Sequence, residues 1–182
     1  LQPAGDPAPP RPGEAMLSAD GIEGSLVYAL SAAIREGIAR DGRAVVYMGD
    51  DERFEYVYKF VSHNRFQAGS PANAHLLDEG TLHVAQFGDD GKGRWLPLRH
   101  GEKYPNGALT AANGFNDQGD VSIRCRQAAD LAGATKMDRP EWIAVHPKTG
   151  EVYVTLTNNV KRGTPETPGL NAANPRAENT FG

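Results

Sequence analysis

Cysteine, long apolar runs and basic clusters are the features that this sequence has least of. Its 182 residues include a single cysteine, Cys125, which excludes an internal disulfide and cannot by itself form a thiolate metal site. We expect this cysteine to be a buried small apolar residue. No apolar stretch approaches the roughly 20 residues of a membrane-spanning helix, so we expect no transmembrane segment. Lysine and arginine are scattered and the formal net charge is -4, which argues against nucleic acid as a partner.

Several sequence motifs of known enzyme chemistry are also missing. The five histidines are dispersed and lack the helical spacing of a two-histidine zinc site. Neither the G-x-S-x-G turn of many serine hydrolases nor the G-x-x-x-x-G-K loop of nucleotide hydrolases occurs. These absences argue against a zinc enzyme, a serine hydrolase and a P-loop enzyme.

Glycine and proline are abundant, with 21 and 13 residues, and favour short elements joined by turns. Residues 1–15 hold five prolines and little that can pack, which predicts an extended arm before a folded part over residues 16–182. A series of apolar residues spaced by four predicts a helix that ends near Arg40. Its members are Ile22, Leu26, Leu30, Ile34 and Ile38.

Three pairs of β-branched and aromatic runs, each pair separated by a polar turn, predict three hairpins. They cover residues 43–62, with strands on either side of an acidic turn, residues 81–98 around "GDDGKG", and residues 141–157 around "PKTG". Residues 116–133 predict a second helix that starts at Asp or Asn and stops at Gly133. We therefore predict a mainly β fold, in which antiparallel hairpins form part of a β-propeller with two inserted helices. A closed propeller needs more strands, so we expect a fragment of a larger domain.

Two acidic turns have similar sequences, but we predict different roles for them. Asp50, Asp51 and Glu52 follow a strand, and carboxylates in such a turn can bind a hard cation such as Ca²⁺ or simply face solvent. Successive side chains diverge, so at most two of these residues can converge. The "GDDGKG" turn at 88–93 contains flexible glycines and is expected to be an exposed hairpin turn.

The segment "MDRPEW" is the most informative loop. Pro140 restricts the residue before it, and we expect Arg139 to be extended and held at the mouth of the following strand. An arginine fork suits phosphate or carboxylate, and Glu141 beside it suits a metal ion. The alternative is a surface ion pair between Arg139 and Glu141. Asn158 and Asn159 close the same hairpin and either ligate a cation or cap the turn.

These stretches together resemble the PhoX-type alkaline phosphatases, a bacterial family of metal-dependent β-propeller phosphatases. The resemblance runs in family order across residues 43–182 and is most specific from "RPEW" to "TNN". The matching stretches are "VVYMGDDERFEYVYKFVS", "LLDEGTLHVAQF", "LTAANGF", "MDRPEWIAVHPKTGEVYVTLTNN" and "NPRAEN".

The resemblance implies hydrolysis of a small phosphorylated substrate at a cluster of Ca²⁺ and Fe³⁺, in a periplasmic or secreted protein exported by a twin-arginine signal and monomeric at full length. Arg139 and Glu141 are then the candidate catalytic residues, and Arg139 and Arg176 the candidate phosphate-binding residues. The candidate metal ligands are Asp51, Glu52, Glu141, Asn159 and Glu178.

One departure from the family affects these expectations. The family's upstream block, a "TWLTCEE"-like segment that supplies a cysteine and acids to iron, has no counterpart here, and Cys125 does not match that cysteine. We therefore expect the full-length protein to be a phosphatase and these 182 residues alone to be inactive. Two alternatives stay open: a non-catalytic propeller scaffold that binds Ca²⁺, and a propeller hydrolase of the lactonase kind.

Overall fold

The computed structural model describes residues 42–181 in full, together with the backbone of two short strands. These strands, β1 (Ala15–Ser18) and β2 (Gly21–Gly24), pair in antiparallel fashion. The proline-rich arm predicted over residues 1–15 lies outside the described residues except for its last position, and the boundary at residue 16 stays a prediction.

The first predicted helix is wrong at its start. Ile22 belongs to β2, where it pairs with Leu17, so the chain is extended and not helical at this position. The remainder of that predicted helix, residues 25–40, lies outside the described residues. A single apolar residue is compatible with a helix or a strand, and the helix prediction depended on the apolar residues that follow Ile22.

Four antiparallel strands form the main sheet. In their hydrogen-bonded order they are β3 (Arg43–Gly49), β4 (Val57–Arg65), β5 (Gly80–Phe87) and β6 (Gly93–Pro97). The two hairpins predicted over residues 43–62 and 81–98 are confirmed, and pairing of β4 with β5 joins them into one meander. A four-stranded antiparallel meander is the architecture of a propeller blade.

The third predicted hairpin is also confirmed. It consists of β9 (Pro140–Val145) and β10 (Val152–Leu156), whose register shifts between Val154 and Leu156. After β6 the chain forms a two-stranded ribbon of β7 (Lys103–Tyr104) and β8 (Gly107–Ala108). Short 3-10 helices occur at Pro71–His75 and Ala111–Asn113.

The second predicted helix is present but interrupted. It forms α1 (Gln118–Ile123) and α2 (Cys125–Ala132), with a break at Arg124, where φ is -106° and ψ is 40°. The predicted ends are confirmed, because the Asp117 side chain accepts a hydrogen bond from Asp120 N and Gly133 adopts a left-handed φ of 74°.

Both faces of the main sheet are covered. Tyr56, Tyr58 and Val84 pack with α1 and α2 in the larger core. Cys125 is half-buried at the edge of this core, whereas the sequence predicted that it would be fully buried. The opposite face, through Val57 and Ala85, packs against the β9–β10 hairpin. Alternating side chains of the same strands thus reach both layers, as the strand periodicity requires.

The mainly β class, with antiparallel hairpins as part of a propeller, is confirmed. None of the helices in the described part of the chain has the length and apolar character needed to cross a bilayer. The placement of the β9–β10 hairpin against the sheet brings its entry loop to the turn between β3 and β4, where the candidate site lies.

Candidate functional site

Two loops distant in sequence meet at one end of the main sheet. The first, called here the acidic loop, is residues 50–56 between β3 and β4; the second, the arginine loop, is residues 137–141 at the entry to β9. Phe54 N donates to Met137 O at 2.9 Å, and Met137 N donates to Glu55 O at 2.9 Å. An isolated antiparallel bridge also joins Arg53 to Asp138. The backbone itself therefore fixes the two loops side by side.

Glycine at position 49 allows this close approach. A Cβ atom built on Gly49 would lie 2.4 Å from Pro140 O and 2.9 Å from Pro140 C. These are backbone atoms that cannot move aside without shifting β9. The absence of a side chain at Gly49 thus sets the spacing between the acidic loop and the arginine loop.

Arg139 extends from the arginine loop towards the acidic loop, but its backbone is not in the expected conformation. Its φ is 51°, in the left-handed region, so the prediction that Pro140 would keep it extended is wrong. Tertiary hydrogen bonds outweigh the local preference, because Thr157 N lies 3.1 Å from Asp138 O and 3.2 Å from Arg139 O. Its guanidinium points to the acidic loop, with Nε 3.1 Å from Asp51 Oδ1.

Asn158 supplies a second contact to the same guanidinium, accepting a hydrogen bond from Nη1 at 3.4 Å, while Nη2 donates to Asp51 Oδ2 at 3.3 Å. The Arg139 side chain is 29% exposed, so part of the group faces solvent. The alternative of an ion pair between Arg139 and Glu141 is not what forms. The arginine reaches across to the acidic loop instead.

The acidic side chains diverge, as expected for consecutive residues. Asp50 pairs bidentately with Arg126, whose Nε and Nη2 each lie 2.7 Å from a carboxylate oxygen. Asp51 turns to Arg139, and Glu52 accepts a hydrogen bond from Arg53 N at 2.7 Å. Three carboxylates of one turn therefore serve three different partners.

The remaining candidate carboxylates and Arg176 are exposed. Glu141 faces solvent near the start of β9, and Arg176 and Glu178 lie in an exposed loop. Glu178 has a positive φ of 43°, and its backbone N donates to Arg162 O at 2.8 Å. The roles predicted for these side chains stay predictions.

Asn159 does not occupy a solvent-facing position of the kind expected for a metal ligand. It is fully buried, and its Nδ2 donates to Asp138 Oδ1 at 2.8 Å while its Oδ1 accepts from Lys161 N at 3.2 Å. Its backbone N also donates to Asn179 O. The Asn159 side chain thus takes part in a turn, which was the alternative to ligating a cation.

The sequence reasoning missed a buried polar cluster directly beneath Arg139. Asp138 is 2% exposed and Arg162 0% exposed, and Arg162 Nε lies 2.7 Å from Asp138 Oδ1. Asn174, also buried, accepts a hydrogen bond from Asp138 N at 2.9 Å. The charged pair could have been suspected only from Asp138 preceding Arg139, because Arg162 lies in a glycine- and proline-rich tail without periodicity.

The pKa values of ionisable groups in and around the acidic loop are shifted in different directions. Burial raises the pKa of Glu55, although Arg126 nearby opposes the shift. The paired Asp50 raises the pKa of Arg126 above its ordinary value, which keeps that guanidinium charged. Asp130 has a lowered pKa because hydrogen bonds from Lys136 and Tyr56 outweigh its burial.

The donor set suits a hard cation only in part. Carboxylate oxygens of Asp51, Glu52 and Glu141 are the ligand type that Ca²⁺ prefers. Yet among residues 15–18, 21–24 and 42–181, no three His, Cys, Asp or Glu side chains come together closely enough to hold a metal ion.

Fold and site together define a mainly antiparallel β protein that presents an arginine fork at the junction of two loops. The sequence profile of the family described as "Alkaline phosphatase PhoX" matches residues 32–182, and the chain belongs to this family. None of the curated proteins compared with the chain matches it significantly.

A solved structure titled "Pseudomonas fluorescens PhoX in complex with vanadate, a transition state analogue" is similar to this chain. The two share 52% sequence identity, with a TM-score of 0.70 over 77% of this chain. The match covers 25% of the Pseudomonas fluorescens chain, so the present chain spans about a quarter of that protein's length.

Proposed function

We propose that the full-length protein carrying this chain hydrolyses phosphate monoesters and that Arg139 binds the phosphoryl group. The observation that supports this most directly is the placement of the Arg139 fork, backed by Asp51 and Asn158 and open to solvent on one side. A planar guanidinium matches the oxygens of a phosphoryl group through two parallel hydrogen bonds. Membership in the alkaline phosphatase family supports the same class of reaction.

Arg139 contributes electrostatic stabilisation in this proposal. Negative charge on the phosphoryl oxygens is redistributed as the ester bond breaks, and a fixed guanidinium stabilises it without needing to reorganise. The left-handed backbone of Arg139 and the buried Pro140 behind it restrict the direction of the side chain. Arg176, exposed in its loop, is the second proposed phosphate-binding residue.

Calcium and iron belong to the proposal as cofactors of the full-length protein. When bound, such ions would polarise the phosphoryl oxygens and activate an attacking oxygen. Asp51 can accept hydrogen bonds from Arg139 and still offer a lone pair to a cation, since a carboxylate has about four such sites. The proposed ligands in this chain are Asp51, Glu52, Glu141, Asn159 and Glu178.

The proposal also covers what these 182 residues do alone. Because no three His, Cys, Asp or Glu side chains of the described residues come together, we propose that further ligands come from other parts of the protein and that this chain alone is inactive. We further propose export by a twin-arginine signal to the periplasm or the exterior, and a monomeric full-length protein.

Turnover of p-nitrophenyl phosphate by the full-length protein tests the proposal. We expect Ca²⁺-dependent hydrolysis that a chelator abolishes, and a fall in kcat/KM of about 100-fold in Arg139→Lys, which keeps the charge but loses the fork. The matched control is Arg94→Lys, an exposed arginine that bonds Gln86 within the main sheet.

Three results would count against the proposal. Absent turnover with Ca²⁺ binding retained indicates the non-catalytic scaffold. Turnover of lactones without turnover of phosphate esters indicates the other kind of propeller hydrolase. Equal effects of Arg139→Lys and Arg94→Lys would remove Arg139 from the phosphate site.

A further inference from the structure

We propose that the buried ion pair of Asp138 and Arg162 positions Arg139, so that Arg162 is a positioning residue for phosphate binding although it lies beneath the surface. This inference rests on the proposed function. It concerns a cluster that no sequence pattern indicated and that the phosphate-binding step itself does not use.

Asp138 is tied to its surroundings on every side. Its Oδ1 accepts from Arg162 Nε at 2.7 Å and from Asn159 Nδ2 at 2.8 Å. Its backbone N donates to Asn174 Oδ1 at 2.9 Å, and its backbone O accepts from Thr157 N at 3.1 Å. The residue immediately before Arg139 therefore has almost no freedom to move.

Arg162 carries these contacts to the rest of the junction. Its Nη2 donates to Lys136 O at 2.7 Å and its Nη1 to Gly169 O at 2.9 Å, so all three nitrogens of the guanidinium have partners. The guanidinium carbon also lies 5.1 Å from the centre of the Phe54 ring. Phe54 belongs to the acidic loop, so the buried Arg162 side chain contacts both the acidic loop and the arginine loop that contains Arg139.

Two arguments favour positioning over stability as the role of this pair. Replacing a buried ion pair with well-packed apolar side chains is often neutral or stabilising, so its presence is weak evidence for a stabilising role. Its location is specific, since it lies directly behind a residue with a φ of 51°. A backbone in that region persists only where neighbouring contacts determine it.

The variant that tests the proposal is Arg162→Lys in the full-length protein. Lysine keeps a positive charge near Asp138 but cannot bond Lys136 O and Gly169 O as well. We expect a fall in kcat/KM for p-nitrophenyl phosphate of about 10-fold to 100-fold, since small misplacements of a binding group have effects of this size. The larger part of the loss is expected in kcat, because Arg139 acts most strongly as charge develops.

Leu109→Ala is the matched control. Leu109 is fully buried in the larger core, and its truncation lowers stability without removing a hydrogen bond of Asp138 or Arg162. With both variants assayed well below their unfolding temperatures, kcat/KM of Leu109→Ala should stay within about twofold of the wild type. Asn174→Ala, which removes the acceptor for Asp138 N together with the Nδ2 hydrogen bonds to Lys136 O and Asn171 Oδ1, serves if Arg162→Lys does not fold.

Hydrogen exchange provides a readout that does not depend on activity. The amides of Phe54 and Thr157, which bond Met137 O and Asp138 O, should exchange at least about tenfold faster in Arg162→Lys, because local opening becomes easier. The amide of Arg124, bonded to Asp120 O in α1, should not change.

The outcomes separate the two proposals. If the wild type hydrolyses no phosphate ester, the proposed function fails and the exchange rates alone decide whether Arg162 fixes the loops. If the wild type is active and Arg162→Lys loses no more kcat/KM than Leu109→Ala, the positioning role is overturned. Unchanged exchange at Phe54 and Thr157 would overturn it equally.

Discussion

Asp51 and Arg139, which lie 88 residues apart in the sequence, form an ion pair with Nε 3.1 Å from Oδ1. The pair joins the turn between β3 and β4 to the entry of β9. Both side chains are partly exposed, so the pair itself contributes little to stability, up to about 1 kcal/mol. Its significance lies in the direction that it gives to the Arg139 fork.

Replacing Arg139 with glycine and with alanine tests the left-handed backbone at this position. Both variants lose the side-chain contacts, but only glycine adopts a φ of 51° without a steric penalty. We expect Arg139→Gly to have a free energy of unfolding about 1 kcal/mol greater than that of Arg139→Ala, measured by urea denaturation. Within β9 glycine should instead be less stable than alanine, so that Ala144→Gly should lower the free energy of unfolding by about 0.5–1 kcal/mol relative to the wild type. Equal stabilities of the two Arg139 variants would contradict the geometry.

Gly49→Ala tests the contact between the strands that carry the two loops. The added Cβ would meet the Pro140 backbone at 2.4 Å, so β3 and β9 must separate. We expect a loss of about 1–3 kcal/mol in the free energy of unfolding. Gly169→Ala is the control, because a Cβ there meets nothing within 4 Å, and its effect should stay within about 0.5 kcal/mol. A Gly49→Ala protein as stable as this control would show that the approach is not close.

The hairpins could be predicted from the sequence because their signals are local. Alternating apolar residues and glycine-containing turns determine which short segments are extended, and the three predicted hairpins are present. The strand at Ile22 was missed because a spacing of four residues indicates a helix whereas Ile22 pairs locally with Leu17, and the helical spacing also gave no sign of the break at Arg124. Joining of two hairpins into one sheet depends on pairing between β4 and β5, which no single segment encodes.

The site was predictable only one loop at a time. Arg139 and Asp51 could each be singled out from their own segments, but not their pairing, because the two are brought together only by the packing of β9 beside β3. Arg162 was missed altogether. A buried arginine is recognised by its partners, and its partners Asp138, Lys136 and Gly169 are scattered along the chain.

Asn159→Asp distinguishes a structural role of Asn159 from metal ligation. The change places a second carboxylate beside Asp138 Oδ1, which Asn159 Nδ2 now contacts at 2.8 Å in a fully buried site. We expect a loss of about 3–5 kcal/mol in the free energy of unfolding, the cost of an uncompensated buried charge. The neighbouring Asn158→Asp, at an exposed position, should change it by less than about 1 kcal/mol.

Calcium provides the contrast in this experiment. If Asn159 serves Asp138, added Ca²⁺ should recover none of the stability that Asn159→Asp loses. If Asn159 is a ligand, as the family resemblance implies, the new carboxylate should bind Ca²⁺ more tightly and the ion should restore the stability. Recovery in Ca²⁺ would therefore contradict the structural role.

Glu55 predicts a specific dependence of stability on pH. Its Oε2 is buried and has no hydrogen-bond partner within residues 42–181, and Arg126 Nε lies 3.6 Å away. Burial raises the pKa of this carboxyl above its ordinary value of 4.5, so the folded protein holds the proton to higher pH than the unfolded chain does. Stability therefore falls as pH rises from about 4.5 through the folded-state pKa.

Glu55→Gln removes this titration while keeping the shape of the side chain. Below pH 4.5, where Glu55 is protonated in both states, the variant and the wild type should unfold at similar urea concentrations. Towards neutral pH the variant should become the more stable of the two, because the wild type must then hold a buried charge that its neighbours compensate only in part. Glu79→Gln, at an exposed glutamate, should follow the wild-type curve throughout. If the stability of the variant relative to the wild type falls as pH rises, Arg126 stabilises the charged form of Glu55 although it is shared with Asp50.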